Sequence, residues 1–215
     1  MKNLLNKELR LALHPTAMLF LVLSALLLVP SYPYLVTFFY TGLSVFFTCL
    51  SGRENNDVFY TMTLPVAKRD VVRARFLLTI LQQLAQVLTA IPFAYLRQKM
   101  PIAGNDVGMD ANIALFGFAF AMMGLFNLTF FRIYYRKVTR VGPAFAWSSV
   151  VMGLFVTIEE TCAHIIPFCR DRLDTPDPQF LPEKLAVLAV GVAVYAALTL
   201  LACRRAQRDF AQQDL

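Results

Sequence analysis

The chain has 215 residues, of which 58% are hydrophobic and only 16% charged. Soluble domains carry about 25% charged residues, so this composition, with a mean hydropathy of +0.56, excludes an ordinary soluble domain and points to a membrane protein. The net charge of +6 calls for no nucleic acid, because the basic residues are distributed as a membrane topology would distribute them.

A membrane helix needs about 20 mostly apolar residues. Six stretches qualify as candidates: 15–29, 34–50, 76–96, 112–131, 143–166 and 185–203. The first two are short and need interfacial residues to help them span. The expectation is an all-α integral membrane protein with six transmembrane helices, one domain over residues 1–215. Fifteen of the twenty Lys and Arg residues fall on one side of such a topology, in 2–10, 53–75, 132–140 and 204–208. Both ends of the chain are therefore expected on the cytoplasmic side. No small-residue cleavage site follows the first apolar run, so that run is expected to remain in the protein.

The opening MKNLLNKELRLALHP puts Leu4, Leu5, Leu9, Ala12 and Leu13 on one helical face and Lys2, Asn3, Asn6, Lys7 and Arg10 on the other. The pattern suits a helix lying in the cytoplasmic interface; a plain extension of the first span fits the same periodicity. Span two carries Thr37, Thr41, Ser44 and Thr48 on one stripe, below Tyr34. Span three carries Thr79, Gln82, Gln83, Gln86 and Thr89 in the same manner. Glutamines facing lipid are costly, so they should face protein or a watery cavity. They serve either as hydrogen-bonding glue between helices, the commoner use, or as the lining of a substrate path. Small residues at 117, 121 and 124 in span four, and at 149, 153 and 157 in span five, allow close helix packing.

Residues 51–76, SGRENNDVFYTMTLPVAKRDVVRARF, form the longest polar interruption of the first half. Ser51 and Glu54 have capping-box spacing, which predicts a helix start. Asp57 sits near that start, favourable for the helix dipole, and Val58, Phe59 and Met62 make a small apolar face. Pro65 should stop this helix and open the next at Pro65 or Val66. That next helix would present Lys68, Arg69, Arg73 and Arg75 at headgroup depth. The result is a short cytoplasmic helix between spans two and three. It lies either on lipid or in a groove of a partner.

The outer segment 158–184 holds six acidic residues and four prolines. Its start, EETCAHIIPFC, is apolar enough for a re-entrant dip, tolerated only where backbone is buried or lines water. Cys162 and Cys169 lie seven apart; a continuous helix would hold them about 10 Å apart along its axis, too far for a disulfide. Pro167 breaks such a helix in principle and leaves the pairing open.

Glu54, Asn56, Asp57, Leu64, Pro65, Val66, Lys68, Arg69, Asp70, Val71, Val72, Ala74 and Arg75 together resemble the loop between the second and third spans of ABC-2 type transporter permeases. The six-span layout is similar to the small Firmicutes permeases that include phenol-soluble modulin exporters. The resemblance implies that the loop is a coupling helix, with Glu54, Asp57, Val58, Phe59 and Met62 docking on a separate ABC ATP-binding subunit. It also implies that two permease chains pair, as a homodimer or a heterodimer, around a path for an exported peptide, lipid-like or drug-like molecule. No G-x-x-x-x-G-K-[ST] occurs at any of the nine glycines, so this chain is expected to bind no cofactor. ATP and Mg would sit on the partner.

Two other readings fit parts of the chain. One is a non-transporting immunity or regulatory membrane subunit that keeps the permease fold. The other is an intramembrane protease of CAAX type, since Glu159-Glu160 followed by His164 is similar to its EExxxR motif. There His164 stands in place of the arginine, and a third metal ligand is missing. The bland alternative is that both glutamates cap or hydrate the outer segment.

Overall fold

The structure, a computed structural model, describes residues 2–101 and 104–213. Among the described residues the regular structure is entirely helical. Helix α1 (Lys2–Lys7) continues as a π-turn over Glu8–Ala12. After a break at 13–15 the chain turns by 82° into α2 (Thr16–Val22), which tightens to 3-10 geometry over Leu23–Leu28. Then follow α3 (Val36–Glu54), α4 (Asp57–Met62), α5 (Lys68–Lys99), α6 (Ile113–Tyr134), α7 (Val141–Ile165) and α8 (Leu181–Ala211).

Four of these, α5 to α8, are long and apolar enough to cross a membrane, and the bent N-terminal pair makes a fifth if it counts as one span. Helix α3 has the length, at 19 residues, but its buried Thr37, Thr41, Ser44 and Thr48 leave it less apolar than those four. The expected six spans thus reduce to four or five by length and composition.

Several local expectations are corrected. Ser51 does not open a helix. Helix α3 runs through it to Glu54, and Asn55 N donates to Ser51 O. The break comes at Asn56, which takes the left-handed conformation at φ 51°, ψ 31°; asparagine tolerates this because its short polar side chain pairs locally. Helix α4 ends before Pro65 as expected, but α5 starts at Lys68, after an extended Ala67. The stretch expected to dip into the membrane divides. Residues 159–165 complete α7, Ile166 is extended before Pro167, and a single π-turn (Cys169–Leu173) follows.

Helix α6 is the most buried of the four long apolar helices. It begins with Asn112 accepting from Leu115 N, a side-chain cap. Its C-terminal half carries Phe126, Phe130, Phe131, Tyr134 and, just beyond, Tyr135. These rings pack on one another, stacked or edge to face, and on Phe76 of α5 and Phe210 of α8.

The other half of α6 meets α8 backbone to backbone. A Cβ on Gly191 would lie 2.0 Å from the Gly117 carbonyl oxygen, and one on Gly124 would lie 2.9 Å from Tyr195 Cα. The small-residue stripe of span four is therefore a packing seam. That of span five is not: Gly153 and Thr157 are exposed, and nothing lies within 4 Å of a Cβ placed on Gly153. Helix α7 instead turns Ala144, Ser148, Met152, Val156 and Glu159 inward. Gly191→Ala is expected to lower stability in detergent by about 1–3 kcal/mol, since backbone must move to admit the methyl. Gly153→Ala should leave the thermal unfolding midpoint unchanged or slightly raised.

Candidate functional site

The loop between α3 and α5 is fixed by charge. Arg75, on the first turns of α5, is buried. Its Nε lies 2.7 Å from Glu8 Oε2, and its Nη2 lies 2.8 Å from Asp57 Oδ2. Lys7 Nζ closes the group at 2.5 Å from Asp57 Oδ1 and 3.2 Å from Glu8 Oε1. Two cations and two carboxylates from three separate segments neutralise one another. Buried ions persist only when so paired, and the planar guanidinium fork suits two carboxylates at once.

The geometry follows from the local structure. The left-handed Asn56 breaks the chain away from α3, and Asp57, the first residue of α4, meets Arg75 of α5. Asp57 also sits in the first turn of α4, where the helix dipole favours a negative charge. Glu8 projects from the inward face of the N-terminal segment, in register with Leu4, Leu5 and Ala12, while Leu9 and Leu11 turn outward. Arg75 thus does not stand at the surface with Arg69 and Arg73, which are exposed. Lys68 donates to the backbone oxygen of Gln213 beyond α8.

Of the residues expected on the docking face, Val58 is buried and Met62 is half-buried against the core. Asp57 belongs to the charge group. Glu54 and Phe59 face outward, and Tyr60, which the periodicity argument passed over, is 67% exposed. The outward apolar surface of α4 is therefore Phe59 and Tyr60, continued by the exposed Leu64.

The glutamine stripe of α5 fans out to three neighbours. Gln82 Nε2 donates to Ser44 Oγ (3.2 Å) and Thr48 Oγ1 (3.3 Å) of α3. Gln86 Nε2 pairs with Ser24 Oγ (2.9 Å) of the 3-10 segment. Gln83 turns to the opposite side, where it exchanges two hydrogen bonds with Asn127 of α6 (2.9 and 3.0 Å). Tyr195 OH donates to Gln83 Oε1, and Asn127 donates to Thr199, both on α8. Thr79 donates its hydroxyl to Arg75 O, within α5. Gln83 and its partners are interhelical glue. Thr37 and Thr41, by contrast, are buried with hydroxyls that have no partner among the described residues.

The far end of the bundle is capped by two loops stitched together. Arg97 Nε donates to Tyr34 OH at 2.7 Å. Asn112 Nδ2 donates to Leu173 O and Thr175 O. Asp177 accepts from Ile113 N and Gln98 Nε2, and pairs with the fully buried Lys184 at 3.0 Å. Asp174 accepts from Asp110 N at 2.6 Å. Burial pushes the Asp174 carboxyl up to about 6, the hydrogen bond from Asp110 offsetting only part of that. Nearby, Glu159 is buried, and His164 Nε2 lies 2.9 Å from Val107 O. Among the described residues no three His, Cys, Asp or Glu side chains converge as a metal site. Cys162 and Cys169 are free thiols.

The family described as ABC-2 family transporter protein matches residues 3–203. The chain belongs to that family. No curated protein and no solved structure was found to match it. The charge group joins the loop after α3 to both α5 and the N-terminal segment. Arg69 and Arg73 share one helical face, whereas Arg75, two residues beyond Arg73, lies about 200° around from it. The available signal was Glu8, a lone carboxylate on the inward face of an apolar segment, which requires a buried cation.

Two outcomes are expected. Arg75→Met, which strands two carboxylates, should cost about 3–5 kcal/mol. Adding Glu8→Gln and Asp57→Asn to the same chain should recover more than half of the lost thermal stability. For Asp174, the folded form holds a proton that the unfolded form releases between the ordinary carboxylate range and about pH 6. The folded state therefore loses stability as pH rises through that window. Asp174→Asn, which keeps an acceptor for Asp110 N, should raise the unfolding midpoint at pH 7.5 and leave it nearly unchanged at pH 4.

Proposed function

We propose that this chain is the permease subunit of a bacterial ABC exporter in the cytoplasmic membrane. A separate ATP-binding subunit carrying ATP and Mg docks on α4, and a second permease chain, identical or homologous, completes the path. The exported molecule is a peptide, a lipid-like compound or a drug-like compound. One observation carries this reading beyond family membership. Helix α4 presents Phe59 and Tyr60 outward while its inner side is ion-paired to α5 and to the N-terminal segment. A partner that grips two aromatic side chains there moves a lever rather than a floppy loop, and clustered aromatics make effective anchors at such interfaces.

The path reading narrows with the geometry. Thr37, Thr41, Ser44 and Thr48 on α3, with Gln82 and Gln86 on α5, supply a polar wall between α3, α5 and the N-terminal pair. Gln83 and Thr79 are engaged elsewhere and take packing roles.

The test is co-purification from native membranes in mild detergent. Wild type should bring down a P-loop ATPase at about one ATPase per permease chain. The double variant Phe59→Asp, Tyr60→Asp should insert normally and lose it. Retention of the ATPase by that variant would move the docking surface elsewhere, and absence of any ATPase with wild type would overturn the permease reading.

A further inference from the structure

A groove of about 570 Å³ runs beside the C-terminal half of α5, between it, the first turns of α6 and the flank of α8. The volume lies within the range of ligand sites, about 300–1,000 Å³. Val87, Ile91, Phe116, Phe120 and Leu188 make most of it apolar. Ile91 and Tyr95, both exposed, form its lip. The three helices that wall it are each long and apolar enough to cross a membrane, so in a bilayer its open side meets acyl chains. An empty recess forfeits the dispersion contacts that its walls would make with a chain laid in it.

The groove is polar at one end. Tyr95, Gln98 and Lys99, near the end of α5, line it there together with Asp177. Val87, in the apolar part, and Lys99 stand about 18 Å apart along the helix axis. Lys99 Nζ lies 5.4 Å from the centre of the Tyr95 ring, a contact that holds the ammonium at the lip. Arg170, Arg172 and Lys184, on the same side of the bundle, have carboxylates at 2.8, 3.1 and 3.0 Å. Lys99 is exposed and has no such partner among the described residues. Asp177, the carboxylate in the lining, is already matched. It pairs with the buried Lys184 and accepts from Ile113 N and Gln98 Nε2. The charge left for an occupant to answer is therefore positive.

We propose that this groove holds an anionic phospholipid of the bilayer, with one acyl chain against Ile91, Phe116 and Phe120 and the phosphate at Lys99. A basic residue at the mouth of a recess between membrane helices suits such a head group. A neutral chain would leave Lys99 unanswered, and a soluble anion would leave the apolar length empty. Only a molecule with both parts, joined end to end, meets both. The proposal goes beyond the permease reading and needs only that α5, α6 and α8 span the membrane.

The full chain is reconstituted in phosphatidylcholine vesicles with a trace of one of two probes. These are a phosphatidylglycerol and a phosphatidylcholine that carry the same photoreactive diazirine in the acyl chain. Cross-linked peptides are mapped by mass spectrometry. The exposed face of α7, with Trp147, Val150, Leu154 and Ile158, reports the ordinary lipid annulus. Relative to α7, phosphatidylglycerol should label residues 87–99 and 111–120 about fivefold better than phosphatidylcholine, the discrimination that one cation at a membrane surface supplies. Lys99→Gln should bring the two probes level there and leave labelling around Arg204, Arg205 and Arg208 unchanged. Ile91→Trp, which adds bulk at the lip and leaves Lys99 in place, should lower groove labelling by both probes. Thermal unfolding confirms that each variant is folded.

Equal labelling of the groove by both probes in wild type would overturn the proposal, as would a preference that survives Lys99→Gln. Labelling that Ile91→Trp leaves unchanged would put the lipid on the helix surface and overturn it as well. Groove residues that take no label would do the same, and in a chain that runs as a dimer they would give the groove to the second copy. Labelling is read without the ATPase, so this result and the co-purification stand or fall separately.

Discussion

The buried guanidinium of Arg75 is the constraint on which the end of the bundle that holds α4 depends. A single cation there must be answered by carboxylates, and the chain answers with Glu8 and Asp57, far away in sequence on either side of α3. Lys7 balances the remaining charge. The consequence is mechanical. Helix α4 is only six residues long, too short to hold its own geometry in isolation. It is held by the ion pairs of Asp57 and by Val58 inserted in the core. The aromatic pair Phe59–Tyr60 is outward because its neighbours are pinned inward.

The same logic governs the middle of the bundle. A polar group in an apolar surround persists only with a partner, and α5 distributes its three glutamines to three neighbours rather than one. The Gln83–Asn127 exchange closes on itself and adds Tyr195 and Thr199, so that α5, α6 and α8 share one satisfied network. On the opposite side, the network around Gln82 and Gln86 is left open, with acceptors unmatched.

Much of this was legible in the residues. Hydropathy located every long helix, though α5 starts eight residues before and α8 ends eight residues after the expected spans, and Pro65 marked the end of α4. The stripes on α3 and α5 were visible as spacing. The start of α4 was not, because Ser51 and Glu54 match a capping box by spacing alone. The decisive residue was Asn56, whose left-handed backbone no periodicity reveals. The partition of the glutamines was also hidden. Gln82 and Gln83 are adjacent in sequence, yet they point about 100° apart around a helix, and only the packing partners decide which is glue. Arg75 follows the exposed Arg73 by two residues, about 200° around the helix, which places it on the opposite, inward face.

Helix α5 connects these findings. Its 32 residues span about 48 Å at 1.5 Å per residue. It continues unbroken through Pro92. Near its N-terminal end it is held by Arg75 and near its C-terminal end by Arg97, whose Nε donates to Tyr34. Gln98 adds a bond to Asp177, itself ion-paired to Lys184 at the head of α8. A rod tethered near both ends by buried cations cannot absorb displacement by fraying. In the proposed reading, a push delivered to α4 reaches Asp57, then Arg75, and then the outer cap as motion of one body. The N-terminal segment is tied to the same guanidinium through Glu8 and so moves with the rod.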